Sequence, residues 1–303
     1  MRILVTGAAG YIGSALVRAL GGANLLATDQ TSMPFANALV GNIAYPQFAR
    51  SLITPEIDVV FHLAALVSGG AEQNFELGMK VNFDATRDLL EACRLAGHGP
   101  KFVFASSIAV YGGTLPDPVT DDTPPAPRIS YGAQKLMSEV LIDDYSRRGY
   151  VDGRALRLPT VMVRPGSANT AVSGWASAII REPLAGRDYV CPVRPDTRMA
   201  CISVGRVVQG LRRMAEVPAS ELGARRAVLL TGIPVSARQM WDAVRPRATG
   251  TVRFQPDPAL QPIMDSVPQA THSARAAALG LPHSQSIDEI VREYEEAALA
   301  HHR

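Results

Sequence analysis

The chain has 303 residues, 47% hydrophobic and 19% charged, with a net charge of +2. That length supports a large core in one α/β domain or two closely joined ones. Without a basic block or an apolar run near the ~20 residues of a membrane span, neither nucleic acid nor a membrane is an expected partner. Cys93, Cys191 and Cys201 form no CxxC and no metal-ligand spacing, which suits a reducing cytoplasm and predicts no metal site.

Residues 1–5 lack a signal-peptide layout, and residues 3–6 read as a strand. The strand runs into Thr6-Gly7-Ala8-Ala9-Gly10-Tyr11-Ile12-Gly13, and a helix follows through Ala15, Leu16, Ala19 and Leu20 to Gly21-Gly22. Gly7, Gly10 and Gly13 thus sit between strand and helix, the setting of a dinucleotide turn. Glycine lets backbone N–H groups approach a pyrophosphate, and the helix N-terminus adds partial positive charge. Tyr11 and Ile12 belong to the same cofactor turn. The next strand, 25–28, ends in Asp29, where an acid binds the ribose 2′-hydroxyl of NAD. A carboxylate there repels a 2′-phosphate, and no Arg closely follows, so NAD is preferred over NADP. The plainer readings are a structural glycine turn and a solvated acid.

Residues 58–63, 101–105 and 154–158 are further apolar runs that suit strands covered on both faces. Alternation with helical stretches predicts an α/β fold built on a doubly wound parallel sheet. Ser106-Ser107 ends one strand at the carboxyl edge of the sheet, with Ser107 preferred over Ser106 for holding a substrate oxygen. Tyr131 and Lys135 follow one turn apart on a predicted helix. A free phenol, with a pKa of about 10, is a poor base at neutral pH, and a nearby ammonium favours its ionised form. The helix has an apolar stripe at 133, 136, 137, 140 and 141, expected to be its buried face or to meet a partner subunit. The phenol and ammonium fall on the other side.

After Pro159 the chain becomes rich in Pro, Gly and Ser. Residues 1–160 are expected to form the dinucleotide-binding domain and 161–303 a smaller substrate lobe. A late strand at 227–230, in a 200–232 segment, should rejoin the sheet. The tail from Ser286 has helical spacing through Ile287, Ile290, Val291 and Tyr294. His301 and His302 are given no role.

With TGAAGYIG, Asp29, DVVFHLAA (58–65), Val81-Asn82, SSIAVYG (106–112), YGAQK (131–135) and LRLPTVMVRPG (156–166) in place, the chain resembles an extended short-chain dehydrogenase/reductase of the NAD-dependent epimerase/dehydratase type. The resemblance implies a Rossmann sheet, a catalytic Ser107–Tyr131–Lys135 triad, and a homodimer built through helices. It implies that Lys135 also binds the nicotinamide ribose. Leu63, Ala64, Ala65, Asn82, Pro159 and Val161 match cofactor-proximal positions. Asn42 and Ile43 match an adenine-side turn, although Gly41-Asn42-Ile43 lacks the family's usual Asp. A subgroup acting on small sugar acids fits nearly end to end, implying NAD-linked oxidation at C2 of a four-carbon acid.

A small acid calls for a cation. Arg164, Arg181, Arg194 and Arg198 are candidates, because a guanidinium can hold a carboxylate bidentately. Arg198 is the first choice, matching a phosphate-binding Arg of related sugar-nucleotide enzymes. Ser68, Gly69 and Gly70 offer a hydroxyl and open backbone. A sugar-nucleotide 4-epimerase needs the same triad and is the nearest rival. A dehydratase needs an acid beside the Ser, and Ile108-Ala109 supply none. A non-catalytic dinucleotide sensor is the third reading.

Overall fold

The computed structural model describes residues 1–22, 24–35, 37–166 and 171–301, and His302 lies outside them. Its strands are β1 (Arg2–Thr6), β2 (Leu25–Asp29), β3 (Ala38–Val40), β4 (Ile57–His62), β5 (Lys101–Ser107) and β6 (Asp152–Leu158), then β7 (Thr160–Met162), β8 (Tyr189–Cys191), β9 (Arg198–Ser203), β10 (Ala227–Leu229), β11 (Ile233–Ser236) and β12 (Val252–Phe254). Seven form one parallel sheet in the order β10-β6-β5-β4-β1-β2-β3. The order reverses between β1 and β4, which leaves a crevice at their carboxyl ends.

Successive strand residues point to opposite faces of the sheet. Leu4, Val60, Phe102 and Phe104 pack on one side with Leu89, Leu90 and Ile142, from the helices Ala85–Ala96 and Ser130–Arg147. Val5, Phe61, Val103 and Ala105 pack on the other with Leu16, Val17, Val207 and Leu211, from the helices Tyr11–Leu20 and Val204–Glu216. Both faces are covered, which explains the continuous apolar runs. β5 extends past Ala105, so both serines belong to the strand end.

A separate core gathers Trp175, Ile179 and Ile180 of the helix Gly174–Leu184 with Met240, Trp241, Ile290 and Val291. β9 lies between β7 and β11 in a three-stranded sheet, and β8 pairs with β12. Among the described residues no helix is long and apolar enough to cross a membrane.

The Ser130–Arg147 helix buries its apolar stripe only in part: Leu136 and Leu141 pack against the core, whereas Met137 and Val140 are 38% and 63% exposed, so the stripe is not the helix's buried face. Its buried face carries Gln134, Lys135, Ser138 and Glu139. Polar groups take the inside because Asn82, Ala105, Ser106 and Arg157 supply them with hydrogen-bond partners.

Candidate active site

Gly7 leaves β1 at a φ of +71°, a conformation open to glycine. A Cβ there would stand 2.6 Å from the Ala64 backbone nitrogen, and one on Gly13 would stand 2.0 Å from the Gly7 carbonyl oxygen. Bare backbone therefore lets the turn close against the end of β4 and lets the following helix close on the turn. Gly10 caps that helix with no side-chain bond, leaving the N-terminal N–H groups open. Gly7, Gly10, Asp29, Asn42, Ile43 and the 63–65 stretch line the resulting crevice. The Asp29 carboxylate accepts from Ala9 N and Thr31 N, both at 3.1 Å, and so stands beside the glycine turn. A cradle of open N–H groups beside one fixed carboxylate fits the pyrophosphate and a ribose of a nicotinamide dinucleotide.

Eight of the expected cofactor residues do not line the crevice: Ile12, Tyr131, Pro159 and Val161 line a cavity beside it, and Tyr11, Gly13, Asn82 and Lys135 line neither. Gly13 serves packing. Tyr11 is turned toward Arg164, whose guanidinium carbon is 5.9 Å from its ring centroid, and burial pushes its phenol well up. Asn82 is buried in the wide π turn Met79–Asp84. Its Oδ1 accepts from Leu66 N at 2.8 Å, and its Nδ2 donates to Leu66 O at 3.0 Å and to Gln134 Oε1 at 2.7 Å. It fastens the crevice wall to the Tyr131 helix and acts through that wall.

A second fastening runs under the crevice. Thr6 Oγ1 lies 2.7 Å from His62 Nδ1, and His62 Nε2 lies 2.9 Å from Thr86 Oγ1, which donates to Asn82 O at 3.1 Å. Ala64 N donates to Thr6 Oγ1. The chain closes if His62 is neutral with its proton on Nε2. Burial, with Lys135 nearby, pushes the imidazolium pKa down to about 3, consistent with the neutral ring.

Beside the crevice opens a cavity of about 200 Å³. Ser107 and Tyr131 line it from one side, and Leu158, Pro159, Thr160 and Val161 from another. Ile12, Ser68, Arg128 and Arg164 also face it. Ser107 Oγ accepts from Ala109 N at 3.1 Å. Ser106 turns inward and donates to Glu139 Oε1 at 2.5 Å. Lys135 lies beneath the cavity, with Nζ donating to Ala105 O at 2.8 Å. The same nitrogen is 4.4 Å from the Phe104 ring centroid and 5.6 Å from that of Tyr131.

The electrostatics differ from the sequence expectation. Burial pushes the Tyr131 phenol up to about 12, and the groups that pull it down are Arg164 and the Ser107 hydroxyl. Lys135 is itself brought down to about 7 by burial, with Glu139 opposing. With its pKa brought to about 7, Lys135 carries only part of a charge at neutral pH, whereas Arg164 keeps its charge.

Of the four candidate arginines, three are occupied. Arg198 pairs with Asp117 and also donates to Gln269, and it does not line the cavity. Arg194 pairs with Asp265 and Asp196, and Arg181 pairs with Glu182. Gly69 and Gly70 stay outside the cavity, whereas Ser68 lines it and accepts from Val172 N at 3.2 Å.

Glu139 and Arg157 escaped the sequence reading. Arg157 grips Glu139 with Nε at 3.0 Å and Nη2 at 2.7 Å, and Nη1 donates to Tyr111 Oη at 2.7 Å. Glu139 follows Lys135 by one helical turn, a spacing that could have found it.

The family model for the NAD dependent epimerase/dehydratase family matches residues 3–225. The chain is 43% identical to D-erythronate dehydrogenase of Cupriavidus necator, over 99% of this chain and 100% of that one. It is 36% identical to the Haemophilus influenzae D-erythronate dehydrogenase, over 97% and 98% of the two chains. A solved nucleoside-diphosphate-sugar epimerase from Agrobacterium tumefaciens superposes with a TM-score of 0.91 at 35% identity, covering 99% of this chain and 95% of that one. The parallel sheet, the glycine cradle at its switch point and these full-length similarities lead to one conclusion: the chain belongs to the NAD dependent epimerase/dehydratase family.

Proposed function

We propose that this protein is an NAD-dependent dehydrogenase that oxidises the C2 hydroxyl of a small sugar acid, D-erythronate in the first instance, to the 2-oxo acid. The observation that carries the reading is a small cavity in which Ser107 and Tyr131 stand together beside a dinucleotide cradle. Its lining offers the hydroxyls of Ser68, Ser107 and Tyr131 with the Arg164 guanidinium, groups that suit a small hydroxy acid. The two D-erythronate dehydrogenases above add full-length support.

In this reading Gly7, Gly10 and the open helix end hold the pyrophosphate of NAD. Asp29 holds a ribose hydroxyl, which favours NAD over NADP. NAD, when bound, supplies the acceptor for the hydride that leaves C2. Ser107 donates a hydrogen bond to the substrate oxygen and fixes its direction. Tyr131 Oη takes the hydroxyl proton. Lys135, brought to about 7, can hold or release a proton near neutrality from a fixed place beneath the phenol. Asn82, Glu139 and Arg157 position these groups without touching substrate.

Met137 and Val140 leave an apolar stripe exposed on the catalytic helix, which supports a homodimer formed through it. The three buried, unpaired cysteines suit a reducing compartment, the cytoplasm.

The test is NADH formation from four- to six-carbon aldonic acids, with NAD and with NADP. The expected result is fastest turnover of D-erythronate with NAD. Interconversion of nucleotide sugars without added cofactor would replace the reading with the epimerase.

A further inference from the structure

The cavity holds a cation that no carboxylate of the described residues pairs. Among the described residues the Arg164 guanidinium has no hydrogen-bond or ion-pair partner, although the residue is half-buried and lines the same wall as Pro159 and Val161. Its backbone is fastened on both sides. Arg164 N donates to Ser177 Oγ at 3.0 Å, and Arg164 O accepts from Arg181 Nη1 at 2.8 Å. Arg181 is held in turn by Glu182. The helix Gly174–Leu184 thus fixes where Arg164 begins, and the side chain extends to the Tyr11 ring.

A guanidinium drawn partly out of water without an anion is costly, and such a charge is normally paired. The other candidate arginines obey this rule: Arg181, Arg194 and Arg198 each have a carboxylate of the protein. Arg164 does not. Its charge is nevertheless felt at the Tyr131 phenol, which lines the same cavity. Arg128 is exposed and lies along Gly112 and Gly113 at the rim.

The chemistry of a 2-hydroxy acid imposes a matching constraint. Its carboxylate is bonded directly to the carbon whose hydroxyl must reach Tyr131 and Ser107. The cation that holds the carboxylate must therefore stand beside the phenol, not at the rim. Resting on the reading above, we infer that Arg164 is the residue that binds the substrate carboxylate and selects 2-hydroxy acids over neutral polyols. The anion it lacks in the free protein arrives with the substrate, as a charge-assisted pair in a partly desolvated wall.

Calorimetric titration of D-erythronate into the NADH complex tests this without turnover, using wild type, R164Q, R164K and R128Q, each checked for native circular dichroism and melting temperature. NADH titration checks that the cofactor still binds. The expected result is acid binding about 100-fold weaker in R164Q, the cost of removing one partner of a desolvated charge pair. R164K should recover part of the loss, R128Q should stay within about threefold, and erythritol should bind wild type and R164Q equally weakly. Wild-type affinity in R164Q, or the large loss in R128Q instead, would overturn the assignment. If the wild type binds the acid through Arg164 but does not oxidise it with NAD, the dehydrogenase reading fails and the anchor stands. If the wild type binds no 2-hydroxy acid at all, both fall.

Discussion

Lys135 Nζ donates to the carbonyl oxygen of Ala105 at 2.8 Å, fixing the Ser130–Arg147 helix to β5 two residues before Ser107. The bond sets the distance between the two halves of the site, and it holds an ammonium where water cannot reach it.

That burial has a stability consequence. The Lys135 pKa falls from 10.5 unfolded to about 7 folded. Between these values the unfolded chain binds the extra proton, so stability rises with pH across the window. Below about 7 both states are protonated and the cost of the buried charge is fully present. Lys135→Met should therefore melt higher relative to wild type at pH 7 than at pH 10, while losing activity. Melting curves at several pH values check it; a pH-independent difference would refute it.

Tyr131 carries the proton transfer in the proposed mechanism. Tyr131→Phe should lower kcat by about 10³-fold, within the usual range for general acid–base groups. NADH affinity should stay within about twofold, because the cradle of Gly7, Gly10 and Asp29 is untouched. Steady-state kinetics and fluorescence titration separate the two effects, and near-normal turnover would remove the base.

Glu139 and Arg157 form a buried pair whose side chains are 3% and 13% exposed. Breaking it from one side leaves an uncompensated charge. Glu139→Leu should cost about 3–5 kcal/mol. Glu139→Leu with Arg157→Met should cost less than the sum of the single changes, because neither charge is then stranded. Urea unfolding measures both, and simple additivity would show that the pair contributes nothing as a pair.

Asp29 should set the nucleotide preference. Asp29→Ser removes the charge that repels a 2′-phosphate and also frees Ala9 N and Thr31 N. The ratio of kcat/KM for NAD over NADP should drop at least about tenfold, equivalent to about 1.4 kcal/mol. An unchanged ratio would assign the preference elsewhere.

What the sequence determined is local. A strand, three spaced glycines and a helix are legible together because the turn is made by adjacent residues. The runs at residues 58–63, 101–105 and 154–158 are legible because both sheet faces are covered. Tyr131 and Lys135 are legible because helical spacing places them one turn apart. Only the tertiary structure decided which face of that helix is buried. The apolar stripe suggested Met137 and Val140, but Asn82, Ser106 and Arg157 pair with its polar side. Nor could spacing show that Arg198 meets Asp117 while Arg164 meets no carboxylate among the described residues. Whether a charge is paired depends on residues far away in the chain, and local pattern holds no record of them.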